Sequence, residues 1–446
     1  MAEDRDDKMI LGAFLQAANC SNYAASWRHP ASDPGFLTAE YYQEIARTLE
    51  QGKFHFGFID DRLAMPSRYN DSVEDTIRHG IRAVKLDLIP VVMAMTLATR
   101  YLGVSATYST TYHAPFHIAR LFSTLDHFSG GRAAWNVVTS LNDSEAQNFG
   151  TDAHEGHDTR YDRADEVLEI ITGLWDSWED DALVLDKKAG TFADPDKVRR
   201  LNYEGEWLSS RGPLTVPRPP QGYPVIMQAG QSVRGREFAA RWAETVFAIF
   251  RSMESGREIC NDLKTRAERH GRSADDMKVV TAAYAVVGET ESMARDKLAY
   301  IESIAHPSDT PVLLSELLNY DFGQHSSDEL LEDKHLDAIS GSRGLAERMM
   351  ASGIEYPTFG DFLDQSKRGT IWELPVFVGS PTQIADEMEE WFRSGACDGF
   401  MVAAPYLPGA YQDFVRMIVP ELQRRGVFHK DYKADTLRGN LGLRRP

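Results

Sequence analysis

The chain is short of what would tie it to a membrane, a metal or a nucleic acid. It has three cysteines in 446 residues, Cys20, Cys260 and Cys397. They are too scattered for a zinc site or a disulfide framework, so a reducing cytoplasm is the expected compartment. No apolar run reaches transmembrane length, and the opening MAEDRDDKM is acidic and polar, the opposite of a secretory signal. Positive charge is in deficit: 48 Lys and Arg face 67 Asp and Glu, a net charge of −19. That argues against nucleic acid and anionic membrane as partners, although a local seat for an anionic cofactor can oppose the global field. No G-x-G-x-x-G opens a strand–helix unit and no Walker motif is present. Neither a G-x-S-x-G elbow nor a Ser-His-Asp order is found. His113 and His117, and His154 and His157, are spaced like metal ligands but lack a third partner. Packed or exposed histidines are expected there, and no metal.

What remains is ordinary for a soluble globular protein: 42% hydrophobic and 26% charged residues. Eight short apolar runs read as strands, at Met9–Leu15, Phe54–Ile59, Leu102–Tyr108, Arg132–Thr139, Pro224–Gln228, Thr245–Phe250, Lys278–Val287 and Gly399–Ala403. Helical sequence separates each from the next. Eight such units predict an α/β fold, a closed (β/α)8 barrel spanning 1–446 as one domain. Two stretches break the rhythm, 178–222 and 306–370. Loops of that length serve as lids or binding loops more often than as filler. The second is expected to run back towards the amino face of the barrel and then return over its mouth as a lid.

The most informative stretch is 129–161, SGGRAAWNVVTSLNDSEAQNFGTDAHEGHDTRY. A Ser-Gly-Gly turn precedes a buried strand that carries Asn136, an amide that must find a partner inside a sheet. A polar loop follows, then an amphipathic helix from Tyr161, with Thr159 as its expected N-cap. His157 and Tyr161 lie four apart and can face one ligand at the helix mouth. With Arg160 and Arg163 in the first turn, an anion seat is expected there. Further along, Gln228-Ala229-Gly230-Gln231-Ser232 joins a strand to a helix, where backbone amides and the Ser232 hydroxyl can hold a phosphate. Taken alone, His157, Tyr161 and Ser232 are as well explained by capping and packing. Asp61 could be a cap, Thr107 a β-branched strand residue, and Phe14 and Phe58 core aromatics.

A resemblance shifts that balance. The segments WRHP at 27–30, GKFHFGFIDD at 52–61, WNVVTSLNDSEAQNFG at 135–150, HDTRYDRADE at 157–166 and GPLTVPRPPQGYPVIMQAGQSVRGREFAA at 212–240, with the tail from Val378, resemble the flavin-dependent monooxygenases of the bacterial-luciferase superfamily. The branch is that of nitrilotriacetate, long-chain alkane and dibenzothiophene-sulfone monooxygenases, and the sulfone enzyme is the most similar of these. The resemblance covers nearly the whole chain. It implies a luciferase-like TIM barrel that binds FMN as FMNH2, uses O2, and depends on a separate NAD(P)H:FMN reductase reached by flavin diffusion. It also implies flavin contacts from Asp61 and Thr107, a phosphate seat from His157, Tyr161 and Ser232, and a substrate pocket near Phe14. Asn136 is the further polar candidate for the chemistry. Cleavage of a C–S, C–N or C–halogen bond in a small organic molecule is expected, by a homodimer or homotetramer. The stretch 306–370 has few cations, Lys334, Arg343, Arg348, Lys367 and Arg368, which favours a neutral or aromatic substrate. The rival readings are an aminopolycarboxylate or alkane monooxygenase, a deazaflavin-dependent oxidoreductase of the same superfamily, a flavin-binding or light-emitting protein, and an unrelated barrel enzyme acting on a sugar phosphate.

Overall fold

A computed structural model describes residues 8–342 and 358–446. Strands β1 (Ile10–Gln16), β2 (Phe56–Asp60), β3 (Gly103–Ser109) and β4 (Ala133–Val138) pair in parallel in that order. Two small exposed hairpins follow, β5 (Leu183–Asp186) with β6 (Thr191–Ala193), and β7 (Tyr203–Glu204) with β8 (Ser209–Ser210). The main sheet resumes with β9 (Val225–Gln228), β10 (Thr245–Ala248), β11 (Lys278–Val287), β12 (Val376–Gly379) and β13 (Gly399–Ala403). Its order is β10-β9-β4-β3-β2-β1-β13-β11, and β10 pairs with β11 to close it. The eight strands of that barrel are the eight expected from sequence. Each is buried on both faces, which is why it reads as an unbroken apolar run rather than as an alternation.

The strands sort their side chains between two cores. Leu11, Ala13, Leu15, Ile59, Val104 and Ala106 pack outward against the helices. Ile10, Phe56, Phe58, Ala134, Met227, Phe247, Val280, Met401 and Ala403 fill the barrel. Gly12 belongs to the inner set by default, because a Cβ there would lie 2.6 Å from both the Met401 sulfur and the Phe56 ring.

The framing helices include α1 (Ala39–Gln51), α2 (Glu74–His79), α3 (Leu88–Leu97), α4 (Pro115–Ser129), α5 (Asp143–Asn148), α6 (His157–Trp175), α7 (Val233–Trp242), α8 (Met253–Arg269), α9 (Glu291–Ser303) and α10 (Asp309–Leu318). Several expectations need correction. Helix α6 starts two residues before Thr159, with Gly156 at its N-cap, so Thr159 sits inside the first turn. The stretch 178–222 holds the two hairpins and is not plain loop. The helical stretch from Gly409 to Arg424 carries a π-turn at Phe414–Ile418. A ninth strand, β12, pairs with the far half of β11, from Tyr284↔Val376 to Val287↔Gly379.

That ninth strand changes the path of the insertion. β11 runs on past the end of β13, and β12 extends it. The chain therefore does not return to the amino face. The C-terminal end of α9 lies at the carboxyl rim, where Tyr23 and Arg28 of the loop after β1 donate to the carbonyls of Ile301 and Ile304. Helix α10 follows directly over the mouth. The insertion has a small core of its own, Leu314, Leu318, Phe322, Ile339, Phe359 and Phe362. Arg343 and Arg348, counted above among its cations, lie outside the described residues.

At the opposite face, the Ser129-Gly130-Gly131 turn is left-handed at both glycines, with φ of 66° and 86°. It delivers Arg132 into a set of acceptors. The guanidinium donates to the carbonyls of Ser129, Leu102, Thr96 and Thr99 and to the Thr99 hydroxyl, over 2.6–3.2 Å. A cation at the end of α3 satisfies its last carbonyls and opposes its dipole. Arg132→Met keeps the length and strands those acceptors, so the fold should lose on the order of 3 kcal/mol. A urea unfolding curve superimposable on that of the parent protein would refute this role.

Candidate active site

Two helices point their N-terminal ends at the same spot beyond β4 and β9. Ser232 caps α7, its Oγ accepting from the Gly235 amide at 3.0 Å. The same Oγ lies 3.2 Å from Nε2 of His157, the first residue of α6. The other ring nitrogen of His157 is 2.6 Å from the Asp158 carboxylate. Tyr161 packs one turn further in, its ring centroid 5.1 Å from that of His157. The buried Tyr161 hydroxyl accepts from the Gln228 side-chain amide at 3.4 Å. The backbone comes close because two residues have no side chain. A Cβ on Gly230 would collide with the Tyr161 hydroxyl and the Gln228 amide, and one on Gly235 would sit 2.9 Å from that hydroxyl. Unsatisfied amides of two helix termini, a hydroxyl and an imidazole converge here, which is the chemistry of an anion seat.

The two arginines expected to add charge are committed elsewhere. Arg163 donates to the carbonyls of Thr110 and Thr111 at 3.0 and 3.1 Å, and Arg160 donates to the Glu155 carbonyl. The candidate anion seat is built from dipoles more than from guanidinium groups.

A second group of residues lies across the ends of β1 to β4. The β3–β4 register sets Thr107 opposite Asn136. The Thr107 hydroxyl donates to the Ile59 carbonyl at 2.8 Å, so it can only accept from Asn136, whose Nδ2 lies 2.8 Å away. That fixes the amide orientation and leaves Asn136 Oδ1 buried without a partner. Gln228 Oε1 and Gln16 Oε1 are in the same condition. Buried acceptors without donors are uncommon in folded proteins, and a water, an ion or a ligand can complete their bonding. Beneath them Phe14, Phe58 and Phe247 form a three-ring cluster with centroids 4.9–5.7 Å apart, an apolar floor inside the barrel.

Asp60 and Asp61, adjacent at the end of β2, are driven apart in acidity. Burial opposes the charge on Asp60, but Lys85 at 3.1 Å and Arg82 more than compensate and hold it below its ordinary value. On Asp61 burial wins. With Asp60 and Glu145 adding repulsion, and only Lys85 and the Arg62 amide relieving it, its carboxyl is pushed up to about 7. A neighbouring pair separated in this way is the usual form of an acid/base site.

Beside Asp60 opens a cleft lined by Arg62, Ala64, Pro66, Arg82, Lys85, Leu313, Glu316, Leu317 and Arg368. Its roof is α10. Glu316 fastens that helix to both neighbouring loops: it accepts from Asn142 at 2.5 Å, from the Ser144 hydroxyl, and from the Ser67 amide at 3.2 Å. Asn319 adds a bond to Asp143 at 2.8 Å, and Arg28 grips Asp309 with two bonds at 2.8 and 3.1 Å.

The seven residues singled out from sequence thus fall into linked groups. His157, Tyr161 and Ser232 meet at the anion seat. Thr107 and Asn136 are bonded to each other, Asp61 adjoins them through Ile59, and Phe14 lies in the ring cluster below. Sequence reasoning missed Gln16, Asp60, Arg62, Arg82, Lys85, Gln228, Arg368 and Glu373. Only Gln228 and Asp60, inside motifs already quoted, carried a local signal. His113 packs on Tyr108 at 3.9 Å between centroids, as a packed histidine should. Among the described residues one group has metal-like proximity, His325, Glu329 and His335. His325 already uses both ring nitrogens, towards Glu329 at 2.9 Å and the Tyr320 hydroxyl at 2.8 Å.

Comparison with known proteins agrees with this geometry. The family profile of the luciferase-like monooxygenases matches residues 19–398. The dibenzothiophene-sulfone monooxygenase of Rhodococcus erythropolis is 43% identical, over 98% of this chain and 97% of that protein. Nitrilotriacetate monooxygenase component A of Aminobacter aminovorans is 39% identical, over 98% and 97%. A crystal structure of a riboflavin lyase with modified FMN and riboflavin superposes with a TM-score of 0.91 at 30% identity, covering 99% of this chain and 97% of that one. A barrel whose polar groups gather at the carboxyl ends of its strands, and whose sequence matches over nearly its full length, leaves one assignment: the chain belongs to the luciferase-like monooxygenase family and is a flavin-dependent monooxygenase.

Proposed function

We propose that this monooxygenase takes FMN in its reduced form from a separate NAD(P)H:FMN reductase. With O2 it oxygenates a small organic substrate, leading to cleavage of a C–S, C–N or C–halogen bond. The observation that carries the reading is the site at Ser232, where two helix N-termini bring backbone amides, the Ser232 hydroxyl and the His157 imidazole together. The unpaired acceptor of Asn136 lies on the barrel strands, where a flavin ring would stand. Two-component working is supported by the missing dinucleotide fingerprint and by the name of the nitrilotriacetate relative, which is one component of its enzyme. Assembly as a homodimer or homotetramer is supported by the hairpin β5–β6, which exposes Leu183, Val184, Leu185 and Phe192. Among the described residues no helix is long and apolar enough to cross a membrane.

On this reading Ser232, His157 and Tyr161 hold the phosphate end, and Asp61, Thr107 and Asn136 meet the ring. Bound reduced FMN supplies the electrons that activate O2. The chain's own part is to position and to exclude water. Phe14, Phe58 and Phe247 deny water a footing below the site, and α10, pinned by Glu316, covers it from above as a lid. Asp61, neutral on the acid side of about pH 7, would hold a proton at its carboxyl group beside a bound flavin.

Three outcomes are expected. The purified chain given FMN and NADH should oxidise almost no NADH, and an unrelated flavin reductase should restore product formation. Rapid NADH oxidation by the chain alone would defeat the two-component reading. Ser232→Ala should weaken binding of reduced FMN by about 1.5–3 kcal/mol, as for a lost bond to a charged group, and leave riboflavin nearly unaffected. Equal weakening of both flavins would remove Ser232 from the seat. Finally, Asp61 gains a negative charge as pH rises through about 7, against an electron-rich ring. Anaerobic titration should therefore show reduced FMN binding more weakly above that pH in the parent protein than in Asp61→Asn, once the flavin's own titration, common to both, is subtracted. Parallel pH profiles for the two proteins would rule Asp61 out.

A further inference from the structure

The cleft under α10 is unlike the rest of this acidic molecule. Four cationic side chains, Arg62, Arg82, Lys85 and Arg368, line it together with one acid, Glu316. Glu316 is spent on fastening α10, with bonds to Asn142, Ser144 and Ser67. Two further carboxylates share the cations. Asp60 takes Lys85 at 3.1 Å. Glu373 lies between Arg82 at 3.5 Å and Arg368 at 3.2 Å. Both of those contacts are long for charged partners, which normally close to about 2.7–2.9 Å. Arg82, whose residue is only 8% exposed, keeps a buried Nε without a partner, and so does Arg368. The Arg62 side chain makes no ion pair among the described residues. The crowd is uncomfortable: burial, with the positive charges of Arg82 and Arg62 nearby, pulls Arg368 down to about 10.

Burying guanidinium donors unpaired costs about 1–3 kcal/mol each, and more where charge is involved. A fold accepts that cost where a ligand removes it. The ligand must be an anion with planar acceptors, since a guanidinium fork matches a carboxylate in shape as well as charge. The cleft adjoins Asp60 and Asp61 at the end of β2, so its occupant would reach towards the ring site.

We propose that this cleft seats a carboxylate of the substrate, so that the molecule oxygenated here is an organic acid. The inference rests on the reading of the site as that of a flavin monooxygenase and names its substrate class. It also revises the expectation of a neutral or aromatic substrate. That expectation counted cations only within 306–370, whereas three of the four come from residues 62–85.

The test uses the full-length protein and calorimetric titration with iminodiacetate, thiodiglycolate and tricarballylate, each against its methyl ester, with and without FMN. At least one acid should bind about tenfold or more tightly than its ester, and that preference should shrink with added salt. Arg62→Gln, at a half-buried residue without an ion pair, should fold normally and abolish most of the preference. Arg368→Gln should do the same. Acids that bind no better than their esters, or not at all, overturn the proposal, as does a preference unchanged in Arg62→Gln. Binding of reduced FMN is measured in parallel. Its loss would count against the flavin reading, while the acid–ester comparison still decides the seat.

Discussion

The site depends on one pairing, β4 laid against β3 so that Asn136 faces Thr107. Side chains alternate along a strand, so a slip of one residue would carry Asn136, Ala134 and Val138 to the helix-facing side and bring Trp135 and Val137 inward. The left-handed turn at Gly130 and Gly131 sets where β4 begins, and Arg132 locks it to the end of α3. Further bonds fix the register from the side of β2: the Thr107 hydroxyl is tied to the Ile59 carbonyl, one residue before Asp60 and two before Asp61. One hydrogen-bonded line therefore runs from β4 through β3 to the carboxylate pair. Its last acceptor, Asn136 Oδ1, has no hydrogen-bond partner among the described residues.

The barrel was legible because its strands are buried on both faces, and a doubly buried strand has no other use for runs such as FGFID or GFMVA. β12 escaped because VFVG is short, half-buried, and placed above the rim where no barrel strand is required. Thr159 was the better cap by residue preference, yet α6 begins at Gly156, as its tertiary contacts demand. His157 and Ser232 bond to each other there, and a helix starting at Tyr161 would leave His157 in the loop. The residues of the anion seat were visible because each lies in a local motif, a helix start or a strand–helix turn.

The cationic cleft was not legible, for a different reason. Arg62, Arg82 and Lys85 sit in a charged stretch after β2 that resembles any solvated loop, and Arg368 lies some 280 residues further on. Nothing in their spacing links them. They meet because β11 overshoots the barrel and β12 extends it, so that the chain crosses the mouth without first descending to the amino face. Counting charge by segment fails at such a place, where the relevant neighbourhood is assembled from three segments.

The two anion-attracting regions work by different physics, and that difference separates their ligands. Around Ser232 the attraction comes from amide dipoles, while Arg160 and Arg163 are occupied with carbonyls of the chain. Dipoles of this kind act over the length of a helical turn, so they select a compact anion held against the backbone, as a phosphate is. Around Asp60 the attraction comes from guanidinium charge with planar, directional donors, which suits a carboxylate and reaches further into the cleft. In a chain of net charge −19, neither region draws anions from bulk solvent by long-range steering. Each must recognise its ligand at contact, one by the fit of backbone around a phosphate and the other by paired donors. On the two readings proposed above, the acid and the flavin phosphate take different seats, and the flavin and the substrate need not compete for one site.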